Sequence, residues 1–264
     1  MKIFIEPTGG LCDRLATIEW FLNQKEVYSI NKIHLIWNLN NELNCKFEYL
    51  FNEIKDVKVI NQKLGFLYKY RLSRRLLNLI LKVFRGRKID LYQVKREKVF
   101  ESLQQDKKVW FTGFIFDEVR EKMYFDEFTP ILAMKKKLLV QKKSTEVIGV
   151  HIRRTDNVIA IQNSPTDLFY KALDCEIAIN KDITFYCATD SEEELNNLIK
   201  KYGNKIKYQS NCIRSRNSKE GIESALIDLL SLSNCSKIIG SDWSAFSGVA
   251  AKMGNIELQR IIKI

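Results

Sequence analysis

The second half of the chain alternates short β-rich runs with longer runs that carry apolar residues at helical spacing. The β-rich runs lie at 146–152, 183–187, around 206 and at 237–240, and the helical runs lie at 167–179, 191–202, 221–232 and 244–253. Parallel strands need long crossover connections, so this alternation favours a parallel sheet covered by helices. We therefore predict a Rossmann-like α/β unit in this half.

The first half carries a looser version of the same pattern. A β-rich run at 2–6 ends at Pro7-Thr8-Gly9-Gly10 and is followed by a helical run at 13–23. Further strands are expected at 32–37, 57–60 and 108–116, the last broken or bent at Gly113. A lysine-rich stretch at 131–145 separates the halves, which predicts two domains, 1–142 and 143–264.

Composition indicates a soluble globular protein with an anionic partner. Hydrophobic residues make up 45% of the 264 residues and charged residues 28%, which is ordinary for a packed domain. The formal net charge of +11 fits nucleic acid, an anionic membrane surface or a nucleotide diphosphate. Charge alone does not choose among these three.

The cysteines, histidines and apolar runs predict no metal site and no membrane span. The six cysteines form no CxxC pair, and only two histidines, His34 and His151, are present, which argues against zinc. Glu6 and Pro7 interrupt the first apolar run, and no run of eighteen apolar residues occurs. We expect a cytoplasmic protein.

The segment Ile148-Gly149-Val150-His151-Ile152-Arg153-Arg154-Thr155-Asp156 is the strongest candidate site. A buried type of strand runs directly into two arginines and an acid. In open α/β sheets the carboxyl ends of strands face the ligand crevice, and paired guanidinium groups there suit a diphosphate. The alternative is that Arg153 and Arg154 form an ion-pair network with Asp156 and neighbouring acids.

Two later segments repeat the pattern of a strand that ends in polar residues. Thr189 and Asp190 follow the strand at 183–187 and could contact a nucleotide or only cap the next helix. The helical run at 221–232 carries a single acid, Asp228, in its apolar part. The strand after it leads into Ser241-Asp242-Trp243-Ser244, where the free amides of a helix start would form an anion site.

In this order the three segments resemble motifs I, II and III of the fucosyltransferase-like superfamily, which includes α-1,6- and α-1,2-fucosyltransferases, nodulation fucosyltransferases and protein O-fucosyltransferases. The resemblance covers 146–254, and Gly9-Gly10-Leu11-Cys12-Asp13-Arg14-Leu15 resembles the glycine loop with which many members begin. Cys12 and Asp13 depart from that loop. Trp243 replaces one of two serines of the α-1,6 enzymes, and we expect it to pack rather than to stack on a ligand.

The resemblance implies site residues for a GDP-sugar. Arg153 would contact the β-phosphate and be essential, His151 would lie by the nucleotide, and Asp228 would recognise the guanine edge. Ser244 would contact phosphate, with Arg154, Thr189 and Asp190 nearby. Gly9 and Gly10 would let the backbone approach the phosphate or the sugar.

The resemblance also implies a GT-B-type fold, two Rossmann-like domains facing across a cleft, with the GDP-sugar on the second and a glycan or lipid-linked glycan acceptor on the first. The expected enzyme is an inverting fucosyltransferase that needs no metal and no cofactor. Asp13 and Glu6 are the candidate bases. The runners-up are a transferase with another nucleotide-sugar donor and a basic nucleic-acid-binding protein, for which no recognisable motif is present.

A basic amphipathic stretch lies at 68–88. Leu72, Leu76, Leu79 and Val83 share one helical stripe, and arginines and lysines up to Arg85 surround it. The pattern fits peripheral membrane contact through Leu72 to Arg85. We favour the alternative, a helix of the first domain with a solvated basic face.

Overall fold

The computed structural model describes residues 1–63, 82–115, 125–140 and 144–263. They divide into two compact units. Unit 1 comprises Met1–Ile131 with Ser215–Glu223, and unit 2 comprises Leu132–Arg214 with Ser224–Ile264. The domain boundary after residue 142 stays a prediction.

Unit 1 contains a five-stranded parallel sheet whose three central strands are buried along most of their length. Its strands are β1 (Lys2–Pro7), β2 (Lys32–Asn38), β3 (Val57–Gln62), β4 (Arg87–Asp90) and β5 (Lys108–Gly113). They lie in the order β3-β2-β1-β5-β4. Its described helices are α1 (Leu11–Asn23) and α2 (Arg96–Gln105), with a 3-10 turn at Phe47–Tyr49.

Unit 2 contains a second five-stranded parallel sheet. Its strands are β6 (Val147–Ile152), β7 (Thr184–Thr189), β8 (Ile206–Lys207), β9 (Lys237–Ser241) and β10 (Glu257–Ile261), in the order β10-β9-β6-β7-β8. Its helices are α3 (Leu132–Lys135), α4 (Val158–Asn163), α5 (Thr166–Ile179), α6 (Glu192–Tyr202), α7 (Lys219–Ser233) and α8 (Ala245–Gly254), with a 3-10 turn at Gly203–Lys205. The start of α7, residues 219–223, belongs to unit 1.

Helices cover both faces of the second sheet. Val150 and Phe185 lie in one core cluster with residues of α5 and α6 such as Phe169 and Leu198. On the opposite face Gly240 of β9 allows α8 to approach, because a Cβ there would lie 2.7 Å from the Cβ of Ser247. This close packing fixes the start of α8 against the sheet edge where β9 ends.

The α/β class and each run predicted in the second half are confirmed, with ends that differ by at most two residues. Gly113 ends β5 with φ of +109° rather than bending a longer strand. The sequence pattern did not predict β4, α2, α3, α4 or β10. β10 is largely exposed and α2 is mostly polar, so neither shows the apolar pattern of a buried element.

The predicted basic helix falls largely outside the described residues, which resume at Lys82. Within the described part of the chain, no helix combines the length and the apolar character needed to cross a bilayer.

Candidate functional site

The strand order of unit 2 has a topological switch point between β6 and β9, where the chain stops adding strands on one side of the sheet and starts on the other. From β6 the chain proceeds through β7 to β8 on one side, and then crosses to β9 and β10 on the other. In open α/β sheets ligands bind outside the carboxyl ends of the strands at this point. Arg153 follows β6 directly, and its backbone N–H donates to the Ser241 hydroxyl at the end of β9 (3.0 Å). The strongest sequence candidate therefore lies at the switch point.

The Arg153 guanidinium is held by two carboxylates. It forms ion pairs with Asp190, at 2.9 Å, and with Asp156. The Asp156 side chain is 56% exposed, whereas those of Arg153 and Asp190 are 18% and 15% exposed. The ion-pair network that the sequence allowed as an alternative is thus present, and Asp156 is its solvent-exposed member.

Asp190 organises the loop after β6 rather than capping the following helix. Its carboxylate accepts hydrogen bonds from the backbone N–H of Arg154 (2.7 Å) and from the Thr155 hydroxyl (2.7 Å). Burial raises the pKa of Asp190, but the Thr155 hydrogen bonds and the charge of Arg153 together outweigh it, so the pKa is lowered overall. The carboxylate is therefore ionised at neutral pH.

Arg154 points into unit 2 and is fully engaged there. Its Nε pairs with Glu194 (3.2 Å), its Nη2 donates to Thr166 (3.1 Å), and its Cζ lies 5.6 Å from the Phe169 ring centroid. Only 12% of the Arg154 side chain is exposed. This arrangement argues against the diphosphate contact expected for Arg154, because its donors already have buried partners.

The start of α8 lies beside Arg153. Ser244 is its N-cap residue, and the Ser244 side chain makes no capping hydrogen bond within the described residues. Trp243 precedes it in the left-handed region, with φ of +51°, and its carbonyl accepts a hydrogen bond from Asn157 (2.8 Å). The indole is 63% exposed, so the expectation that Trp243 packs was wrong.

His151 lies inside β6 and is neutral at physiological pH. Its ring stacks on Phe246 of α8, with centroids 4.9 Å apart. Burial, with a smaller effect of the Arg153 charge, lowers its pKa to about 4. Among the residues that the structure describes, its buried Nδ1 has no hydrogen-bond partner.

Asp228 lies in a small pocket of unit 2 rather than on a solvated helix face. Its Oδ1 accepts hydrogen bonds from the Tyr186 hydroxyl (2.6 Å) and from the Gln209 amide (3.2 Å). Burial raises the pKa of Asp228 to about 6 even though these hydrogen bonds lower it. The helix predicted from the sequence is confirmed, and Asp228 faces inward on it.

The pocket around Asp228 lies next to the end of β7. Its polar lining includes Asp228, Gln209, Cys212, Arg214 and Thr189. The free space between these side chains is about 10 Å³, which is room for about one water molecule. A purine ring therefore enters this pocket only if the loop that carries Gln209 and Arg214 moves.

The sequence pattern did not predict two of the polar side chains of this pocket, Gln209 and Arg214. Gln209 follows a strand of only two residues, too short for a periodic signal, and Arg214 lies in the loop after it. Arg214 Nε donates to the Thr189 carbonyl (3.0 Å), which ties that loop to the end of β7. The one sequence signal that could have indicated them is that polar residues follow the strand predicted around residue 206.

Thr189 and Asp190 do not cap α6. Ser191 is the N-cap residue, and its hydroxyl accepts a hydrogen bond from the Glu194 N–H (3.2 Å). The Thr189 hydroxyl accepts one from the Ser191 N–H (3.2 Å). The capping interpretation therefore applies to the next residue along the chain.

The glycine loop of unit 1 is held by a buried arginine. Arg14 Nε donates to the Gly9 carbonyl (2.9 Å) and Nη1 to the Asn38 carbonyl (2.5 Å). Burial lowers the pKa of Arg14 to about 10, so it stays charged at neutral pH. Asp13 accepts a hydrogen bond from the Gly10 N–H (3.3 Å), which completes a tight turn at the end of β1.

Glu6 occupies a buried network in unit 1. Its Oε2 accepts a hydrogen bond from the Trp110 indole (2.9 Å) and pairs with Arg85 (3.4 Å), and its Oε1 accepts one from Asn38 (2.7 Å). Both oxygens are therefore engaged inside unit 1. This arrangement argues against the expected role of Glu6 as a base, and Asp13 stays the candidate.

No protein-family profile and no curated protein sequence matches the chain. Solved structures do match. The fucosyltransferase NodZ from Bradyrhizobium is 16% identical with a TM-score of 0.61, over 95% of this chain and 92% of that one. POFUT1 in complex with GDP-fucose is 11% identical with a TM-score of 0.56, over 99% and 98%.

A mutant of Arabidopsis thaliana FUT1 in complex with GDP is 13% identical with a TM-score of 0.59, over 98% of this chain and 70% of that one. The likeness to NodZ and POFUT1 extends over nearly the whole length of both chains in each pair. The chain therefore has the same GT-B-type α/β fold as these solved structures.

Proposed function

We propose that the chain is a metal-independent, inverting glycosyltransferase that takes a deoxysugar, fucose, from a GDP-sugar bound by unit 2. The observation that carries this proposal is the buried carboxylate in the pocket beside the end of β7. A guanine edge presents two parallel N–H donors, and a carboxylate accepts both. Asp228 is the buried acid of that pocket, with Gln209 beside it.

The diphosphate would lie at the switch point between β6 and β9. Arg153 is the candidate ligand there, since the Asp156 that pairs with it is exposed and can exchange for a phosphate. The first turn of α8 adds backbone N–H groups that the Ser244 side chain leaves uncapped. Arg154 and Asp190 hold the loop that presents Arg153.

In the proposed reaction an acceptor hydroxyl attacks the anomeric carbon while the bond to the β-phosphate oxygen breaks and GDP leaves. Arg153 and the α8 amides stabilise the charge that grows on the phosphate, which is the work a metal ion does in other transferases. The acceptor proton passes to a base, for which Asp13 is our candidate. The acceptor is a glycan or a lipid-linked glycan that unit 1 binds, and activity should survive EDTA.

A nucleotide panel tests the proposal. GDP at about 100 times its Kd should stabilise the protein by about 2.7 kcal/mol, and UDP and ADP should do so much less. GDP-fucose should be hydrolysed faster than GDP-mannose. IDP lacks the exocyclic amine, so Asp228→Asn should weaken GDP more than it weakens IDP. Stabilisation by oligonucleotides and not by GDP would favour a nucleic-acid-binding protein instead.

A further inference from the structure

Lysines recur at matching positions on three neighbouring strands of the unit 1 sheet. Lys2 of β1 lies level with Lys32 of β2 and with Lys108 of β5. In a parallel sheet, residues at matching positions point to the same face. The three ammonium groups therefore form a row at the amino-terminal edge of that face.

A second row lies two residues further along the strands. Lys58 of β3 lies level with His34, which is followed across the sheet by Phe4, Trp110 and Lys88 of β4. Residues two apart on a strand share a face, so both rows lie on the same side. Phe4, His34 and Trp110 are buried, so the lysines of the two rows lie around a covered part of the sheet. We call these five lysines the basic face: Lys2, Lys32, Lys58, Lys88 and Lys108.

The charge of the basic face is not neutralised locally. Within the described residues, none of its five lysines forms an ion pair with a carboxylate. Lys2 lies instead 5.2 Å from the Phe4 ring centroid and Lys88 lies 4.9 Å from that of Trp110. Burial, followed by the charges of Lys2, Lys32 and Lys58, lowers the pKa of His34 to about 4, in keeping with a positive field.

Two exposed apolar side chains adjoin this face. Val83 is 73% exposed and Phe84 is 67% exposed. The Lys108 ammonium donates a hydrogen bond to the Val83 carbonyl (3.2 Å), which ties this pair to the edge of the basic face. Basic side chains beside protruding apolar ones are the combination that binds the interface of an anionic bilayer. A nucleic acid would use the lysines but not the apolar pair.

We propose that the basic face, with Val83 and Phe84, is a docking surface for a membrane that contains anionic lipid. The lysines attract the headgroup layer and the two apolar side chains insert into it. Each lysine near such a surface strengthens binding about fivefold, so several act together. Docking through this surface does not depend on the identity of the nucleotide that unit 2 binds.

Vesicle sedimentation of the full chain tests this proposal. The protein should sediment with vesicles of equal parts phosphatidylcholine and phosphatidylglycerol and stay in solution with pure phosphatidylcholine. The triple variant Lys2→Gln, Lys32→Gln, Lys58→Gln should bind the anionic vesicles on the order of 100-fold more weakly. It should stay folded because these side chains are exposed and have no hydrogen bond within the described residues.

A matched control removes the same charge from unit 2. Lys136, Lys181 and Lys200 are exposed, and changing all three to glutamine should leave vesicle binding within a few-fold of the parent. The double variant Val83→Ser, Phe84→Ser should weaken vesicle binding and leave oligonucleotide binding unchanged. Equal losses in the two triple variants, or no sedimentation with anionic vesicles, would overturn the proposal. Two results together would point to nucleic acid instead. The double variant would bind vesicles like the parent, and the parent would bind oligonucleotides tightly while the first triple variant would not.

Discussion

Arg153 and Arg154 are adjacent in the sequence and carry the same charge, but their surroundings give them different tasks. Arg153 lies at the switch point and one of its two carboxylate partners is exposed. Arg154 lies inside unit 2, paired with the buried Glu194 and placed over Phe169. One change at each position therefore separates a binding role from a structural one.

Arg154→Ala should lower the free energy of unfolding by about 3–5 kcal/mol, because it leaves the buried Glu194 carboxylate without its cation. Urea denaturation at neutral pH measures this loss. Arg153→Ala is the matched control, and its loss should be smaller because Asp190 keeps its hydrogen bonds from Arg154 and Thr155 and because Asp156 can be solvated. Equal losses in the two variants would contradict the structural role of Arg154.

Arg153→Lys should remain folded and lose about 100- to 1,000-fold in turnover of GDP-fucose, since lysine lacks the bidentate fork that meets the charge on the leaving phosphate. GDP affinity should fall less than turnover. Steady-state kinetics and GDP titration check both quantities. Turnover within about threefold of the parent would remove Arg153 from the proposed mechanism.

Asp228 should make stability depend on pH in a defined direction. Its pKa is about 6 in the folded chain and about 3.9 when unfolded. The stability that it contributes is therefore fully present below about pH 4 and is lost as the pH rises through about 6, by roughly 2–3 kcal/mol. Urea denaturation of the parent and of Asp228→Asn at several pH values isolates this change. A stability difference between the two proteins that is constant over this range would contradict it.

Among the elements, the turn between β1 and α1 shows how two adjacent glycines differ. Gly9 has φ of +83°, and a Cβ there would lie 2.8 Å from the Asp13 carboxylate. Gly10 has φ of −73°, and a Cβ there would lie 3.9 Å from the same carboxylate. The chain requires a glycine at the first position and only tolerates one at the second.

Gly9→Ala should lower the free energy of unfolding by about 1–3 kcal/mol, because alanine is strained at positive φ and displaces Asp13. Gly10→Ala should change it by less than about 1 kcal/mol, or raise it slightly through the unfolded chain. Thermal denaturation of the two variants gives the comparison. A Gly10→Ala variant as unstable as Gly9→Ala would contradict the claim that only Gly9 must be a glycine.

At the scale of the whole molecule, the residues just before the predicted boundary contact unit 2. Asn234 Nδ2 donates to the Val140 carbonyl (2.7 Å), and the Leu139 N–H donates to Ser231 (3.3 Å). Met134 and Val140 are buried. These contacts indicate that unit 2 needs the segment from Leu132 onward.

A fragment of residues 132–264 should therefore be more stable than a fragment of residues 143–264. Burying Met134 and Val140 contributes about 1.5–3 kcal/mol each, so the difference should be several kcal/mol. Urea denaturation of both fragments, with GDP binding as a check of folding, measures it. Equal stability of the two fragments would favour the boundary predicted from the sequence.

Hydrophobic periodicity and the order of elements along the chain are local properties, so they predict the α/β class and place Arg153 at the end of a strand. Which charged side chains can contact a ligand depends instead on how the chain folds. Arg154 and Glu6 become buried partners of Glu194 and Arg85, and Asp228 faces a pocket lined by Gln209 and Arg214. These pairings join residues distant in sequence, and the energy of a charge depends on the partners and the water that surround it in the folded chain.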